Sequence, residues 1–215
     1  MAAKKITYVG VMSEGATIAV KNVLSMAGAV VLWLLTIWVP YINVGTTIAL
    51  QTMPIELSKG KVISPLYIFD EKYRKYMGEY FTLTGLISLS ALPALAFLIV
   101  PAIIILLGWS LAYYILVDKG VAPGEALVRS NNATSGYKWV LFAINISLFV
   151  LLMILQMIFT SVAESFGMIL IMTLIAVIAV TVYSLSCMAV VYRNLTAEDV
   201  PSEPETPENA DTVKE

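Results

Sequence analysis

Between Phe81 and Val117 the chain runs for 37 residues without one Asp, Glu, Lys or Arg. As a single straight helix that stretch would be about 55 Å long, against a bilayer hydrocarbon core of about 30 Å. Folded back on itself it gives two helices of about 18 residues, each near the lower limit for a membrane span. Pro93 and Pro101 supply places to kink or turn, and Asp118-Lys119-Gly120 closes the run. The stretch predicts a membrane hairpin and sets the fold class: an all-α, polytopic helical membrane protein.

The remaining composition permits little else. Of the 215 residues 59% are hydrophobic and 13% charged, where a soluble domain carries about 25% charged residues. The formal charge of −2 averages two unlike regions: 198–215 holds seven acids and one lysine, everything before it twelve basic and eight acidic residues. Two parts follow, a helical membrane domain over 1–197 and a disordered, acidic, Pro-rich cytoplasmic tail over 198–215. There is no histidine, and Cys187, the single cysteine, lies in an apolar run. A disulfide or thiolate metal site within one chain is thereby excluded. Met1–Val11 lacks an apolar core with a cleavage site, so no removable signal peptide is expected.

Taken in order, residues 1–21 are polar to mildly amphipathic and are expected in water or along the membrane surface. Asn22–Ile55 is again free of charge, with the breaker cluster Pro40–Gly45 at its middle and Trp33, Trp38 and Tyr41 suited to an interfacial belt. It predicts a second hairpin with arms near Val23–Val39 and Val44–Leu57. Lys59–Glu79 is strongly charged, with Leu66, Phe69, Tyr73, Tyr76, Met77 and Tyr80 at steps of three and four. That spacing predicts an amphipathic interfacial helix. Pro123 opens a short surface helix over Gly124–Ser135, which Gly136 closes. Trp139–Val162 and Phe166–Tyr192 are the last spans, with Glu164 marking the loop between them.

In a three-hairpin arrangement of about six transmembrane or re-entrant segments, all 13 Lys and Arg residues fall on one side. A rival arrangement with four long helices splits them 8 to 5. The positive-inside rule favours three hairpins with both termini in the cytoplasm.

The chemistry in these residues is sparse. Histidine-based triads and zinc sites have no histidine to use, and no glycine-rich loop precedes a Lys-Ser/Thr pair. No catalytic, cofactor or metal residues are assigned, and no nucleic-acid partner is expected. Lys59, Lys61, Lys72, Arg74, Lys75, Arg129 and Lys138 are candidates for binding anionic lipid or a protein partner, with topology setting as their plainer role. Asn43, Gln51, Asn145 and Gln156 are candidate polar positions near the midplane, where interhelical hydrogen bonding is the ordinary use. Glu56 reads as a carboxylate snorkelling to the interface or as a polar lining.

Val121–Phe142 (VAPGEALVRSNNATSGYKWVLF) carries Glu125-Ala126-Leu127, Ser130, Gly136, Lys138 and Phe142 after the span that ends at Asp118. With Ser64–Phe69 (SPLYIF) and the closing Tyr192-Arg193-Asn194-Leu195, it resembles a family of small prokaryotic multi-pass membrane proteins related to the membrane domain of some glycerophosphodiester phosphodiesterases. The resemblance covers about residues 22–195. It implies a six-segment helical fold with interfacial helices between hairpins, and no catalytic residues, since in those enzymes the chemistry belongs to a separate soluble domain. Independently of it, Gly124–Ser135 reads as an elbow that seats the next span at the right depth.

The sequence thus predicts a non-enzymatic membrane protein that binds a membrane partner, either another membrane protein or a second copy of itself, or organises lipid through cytoplasmic interfacial helices. The alternative is a transporter or channel component with broken helices around Pro40–Gly45 and Pro101.

Overall fold

A computed structural model describes residues 6–97, 99–163 and 165–196. The described residues form helices and no strand. In chain order these are α1 (Tyr8–Thr36), α2 (Pro40–Gln51), α3 (Met53–Ser58), α4 (Met77–Phe97), α5 (Ile99–Gly108), α6 (Ala112–Lys119), α7 (Pro123–Ala133), α8 (Lys138–Val162) and α9 (Phe166–Leu195), with two 3-10 turns at Pro65–Phe69 and Glu71–Tyr76. Five segments are long and apolar enough to cross a membrane: Tyr8–Thr36, Glu71–Ala96, Ile99–Lys119, Lys138–Val162 and Phe166–Leu195.

The faces of α1 show which solvent the fold is built for. Val11, Gly15, Asn22, Met26 and Ala29 are buried along one stripe, at spacings that return to the same side of a helix. The opposite side presents Val9, Val20, Leu24, Val31 and Leu35, all apolar and all exposed. A helix facing water would be polar there. The same inversion recurs on α8 (Phe149, Met153, Ile154, Met157) and α9 (Leu170, Ile171, Leu174, Ile175), as a hydrocarbon surrounding requires.

α9 is the wall shared by two cores. Cys187, Val190, Val191 and Tyr192 pack with Leu83, Leu111–Leu116, Ala126, Leu141 and Ile144. Val182 and Ala189 pack with Met26, Ala29, Ile48, Met53, Ile68 and Tyr73. Burial of these apolar surfaces against one another, at roughly 25 cal/mol per Å² for the parts withdrawn from water, and dispersion packing for the rest, fix the helices.

Several sequence expectations are corrected. Residues 8–21 are not a separate surface segment: Thr7 caps α1, its Oγ1 accepting from Gly10 N at 3.3 Å, and the helix continues without a break to Thr36. The expected break at Pro40–Gly45 falls earlier, at 37–39, because Pro40 sits in the first turn of α2, where its missing N–H costs nothing. Pro93 lies inside α4 and Pro101 in the first turn of α5. Of the helix expected over Lys59–Glu79, residues 59–76 are a loop with two 3-10 turns, and only Met77–Glu79 are helical, as the first turn of α4. Pro65 starts one turn, and the Asp70 carboxylate accepts from Lys72 N at 3.0 Å to start the next, so the chain re-aims before an α-helix can propagate. The short helix after Pro123 forms at Pro123–Ala133 as the sequence predicts. The acidic tail and Glu164 lie outside the described residues.

α5 and α6 are one span with a break at Gly108–Leu111. Leu111 N has left the helical ladder and donates to Ser130 Oγ at 3.1 Å, while Ser130 Oγ donates to Gly108 O at 2.8 Å. Thr134 Oγ1 also reaches Gly108 O, at 3.1 Å. A kink leaves backbone groups unpaired, and α7 supplies the hydroxyls that pair them. α7 is therefore a clamp on the broken span as well as the connection to α8.

Candidate functional site: a charged network where α3, α6 and α9 meet

The last turn of α6 brings Asp118 against the last turns of α3 and α9. Asp118 Oδ1 accepts from Lys59 Nζ at 3.0 Å and Oδ2 from the Tyr192 hydroxyl at 2.7 Å. Glu56 Oε1 takes the same ammonium at 3.4 Å, and its Oε2 takes Lys61 Nζ at 3.0 Å. The side chains of Glu56 and Asp118 are only 16% and 17% exposed, and Tyr192 is 3% exposed. Burial pushes the Lys59 ammonium toward neutrality, yet the hydrogen bond and charge of Asp118, with those of Glu56, outweigh it and raise its pKa above the ordinary 10.5. Each oxygen of the two carboxylates thus has a lysine or tyrosine partner, an arrangement suited to holding three helices in register.

Lys61 belongs also to a neighbouring cavity. Gly60, at φ +73°, follows the end of α3 in the left-handed conformation that lets the chain reverse there. The reversal carries Gly60 and Lys61 over a cavity of about 230 Å³ lined by Glu14, Thr17, Lys21, Asn22 and Leu57, with Arg193 from the last turn of α9. Arg193 donates to Glu14 at 2.5 Å. Asn22 is 7% exposed; its Nδ2 donates to Ile18 O at 3.1 Å, and its Oδ1 is a buried acceptor without a protein partner among the described residues.

The seven cations predicted from sequence separate into three groups. Lys59 and Lys61 enter the network just described. Lys72, Arg74 and Lys75 belong to the turn Glu71–Tyr76: Lys72 sits 5.0 and 4.9 Å from the ring centres of Tyr67 and Tyr73, and Arg74 5.8 Å from that of Tyr41 in the first turn of α2. Lys72 also pairs with Asp70 at 3.4 Å and Arg74 with Glu71 at 3.3 Å, while Lys75 is exposed. Asp70 is held below its ordinary value by the Lys72 N–H and the lysine charges beside it. Arg129 bonds Glu125 on α7 at 2.6 Å, and Lys138 bonds Asn131 at 3.1 Å. Among the polar amides, Gln51 accepts from Tyr80 at 2.5 Å, Gln156 accepts from Thr173 at 3.0 Å, and Asn145 donates to Leu141 O at 2.8 Å. These hydrogen bonds include two interhelical ties. Asn43 is in the first turn of α2, and its Nδ2 is buried without a partner among the described residues.

Sequence reading missed the roles of Glu14, Lys21, Asn22, Tyr192 and Arg193. The one usable signal was the spacing of Glu14 and Lys21, two helical turns apart on one face, in a segment read as lying outside the bundle. No protein-family model, curated protein or solved structure matches the chain.

Proposed function

We propose that the chain is a non-enzymatic integral membrane protein that organises lipid or binds a membrane partner through the charged segments linking its helices. The supporting observation is the placement of charge: aromatic-backed cations and ion-paired carboxylates lie beside helices whose outer faces are rich in exposed large apolar side chains. Such an array reads headgroups or an acidic partner surface more readily than it performs proton transfer. We place it in a prokaryotic cytoplasmic membrane with both termini inside. In that arrangement α2 and α3, about 28 Å together at 1.5 Å per residue, make a sixth, broken crossing. The resemblance to the membrane domain of glycerophosphodiester phosphodiesterases supports the same six-segment reading.

Native mass spectrometry of the protein released in mild detergent tests the function. A stoichiometric second polypeptide or retained anionic phospholipid is the expected result; a bare chain that retains neither would sink the proposal. Orientation is tested in a Cys187→Ala background by cysteines at Lys61, Gly120 and Thr206, all expected to label from the cytoplasmic side. Labelling of Lys61 from the other side would remove the three-hairpin arrangement.

A second reading, a transport component, draws support from the breaks at Thr52 and Gly108–Leu111, since discontinuous helices occur at transporter sites. Water-accessible cysteines at Asn43 and Gln51 would favour it, and uniform protection would count against it.

A further inference from the structure

The cavity between α1, the α3 turn and the end of α9 shares only Lys61 with the network at Asp118, and three cations line it. Lys21 is exposed on α1, Lys61 hangs from the reversed chain after Gly60, and Arg193 is oriented by its 2.5 Å bond to Glu14. One acid among three bases leaves an excess of positive charge, and Glu56 takes only part of it through Lys61. Each cation comes from a different element, so the three converge from separate walls. The opening is bordered by apolar surface. Val20 and Leu24, flanking Lys21 on α1, are 76% and 85% exposed, and Val31 extends the exposed side toward the far end of the helix. Charge above a bare apolar strip is the pattern met by an amphiphile whose anionic head enters the cavity while its chains lie along the helix. On the inner wall, the unpartnered Oδ1 of Asn22 calls for a hydrogen-bond donor.

From these features we propose that the cavity binds the phosphodiester of an anionic phospholipid whose headgroup also carries hydroxyl donors. Lys21, Lys61 and Arg193 meet the phosphate oxygens, Asn22 meets a hydroxyl, and Val20 and Leu24 flank the acyl chains. Arg193 offers a planar fork of donors, suited to two phosphate oxygens at once. The inference rests on the lipid-organising half of the proposed function and narrows it to one site, distinct from the cations around Tyr67 and Tyr73.

The test is a native mass spectrometry titration of the full chain in detergent with dioleoylphosphatidylglycerol, with dioleoylphosphatidylcholine as the neutral lipid and glycerol 1-phosphate as the soluble phosphate. One high-affinity equivalent of phosphatidylglycerol is expected. Lys21→Gln, a change at an exposed residue that the fold does not need, should weaken it about tenfold, the loss of one charge-assisted contact. Arg193→Gln should do the same, and Lys119→Gln, a charge removed at the end of α6 outside the cavity lining, should leave it unchanged. Equal weakening in all three variants, or none in the two cavity variants, overturns the cavity site while leaving lipid retention, and with it the broader reading, intact. Absence of any bound phosphatidylglycerol removes the inference and the lipid half of that reading together. Competition by glycerol 1-phosphate at the lipid's own affinity would show a free phosphate ester to be the ligand and overturn the lipid assignment.

Discussion

The Tyr192 hydroxyl donates to Asp118 Oδ2 across 2.7 Å, joining the last turn of α9 to the last turn of α6 over 74 residues of chain. The other oxygen of the same carboxylate holds Lys59. Hydrogen bonds to charged groups contribute about 1.5–3 kcal/mol, and a buried charge stripped of one partner loses at least that much. Tyr192→Phe is therefore expected to lower thermal stability in detergent, and Asp118→Asn to lower it further because Lys59 loses its closest anion. If the double variant is as unstable as the two single effects added together, the bond is not energetically coupled and its structural role fails.

A second relationship concerns close approach rather than charge. Gly15 of α1 lies so near α9 that a Cβ there would stand 2.6 Å from Cys187 Sγ and 3.1 Å from Cys187 Cα. The sulfur could move; the backbone could not without parting the helices. Overpacking of this kind costs about 1–3 kcal/mol. Gly15→Ala should lower the Tm, and adding Cys187→Ala should restore only part of the loss, because the contact with the α9 backbone remains. Full restoration would show that the sulfur alone sets the spacing. The same burial predicts that native Cys187 resists maleimide until the protein unfolds.

The long apolar helices were legible because hydrocarbon solvent demands unbroken runs of apolar residues, and Trp139–Val162 and Phe166–Tyr192 fall within α8 and α9 as expected. α7 was legible too, since proline at a first turn is a local signal. What sequence could not yield was any feature that depends on which helices touch. The face of α1 carrying Glu14 and Lys21 looks like a solvated segment until Arg193 is brought to it from far along the chain. The aromatic spacing after Lys59 is helical by periodicity, but Ile68 and Tyr73 are claimed by the core beside α1 and α2. Tertiary burial overrode the local pattern there. Asp118 read as the polar stop of a span, and only the approach of Lys59 and Tyr192 makes it a junction.

The raised pKa of Lys59 makes a prediction with a definite sign. A cation whose folded pKa lies above its unfolded value stabilises fully below the unfolded value and stops doing so as pH rises through the folded one. Lys59→Gln should therefore be less stable than wild type at neutral pH. The gap should persist to about pH 10 and close above the ordinary lysine value of 10.5. Thermal unfolding of both proteins between pH 7 and roughly pH 11.5 checks this. A gap that closes on acidification from neutral pH, well above carboxylate titration, would show that the pairing is not what Lys59 contributes.

Ser130 carries the last prediction, because it performs for a broken span what an intact helix performs for itself. Its hydroxyl accepts from Leu111 N and donates to Gly108 O, both from a buried position. Ser130→Ala leaves Leu111 N without its acceptor in an interior where water does not readily replace it, a loss of about 1–3 kcal/mol. Gly108 O fares better, since Thr134 Oγ1 still reaches it at 3.1 Å. Thr134→Val should accordingly cost less than Ser130→Ala, for Ser130 would still serve the same carbonyl. The pair together should exceed the sum of the singles, because only then is Gly108 O abandoned. Hydrogen exchange separates this from a general loss of packing. Protection should fall at Leu111 and its neighbours in Ser130→Ala while the amides of α8 and α9 hold theirs. Uniform loss across all helices would mean that α7 stabilises the bundle only by filling space, and that the break in α5–α6 does not depend on its hydroxyls.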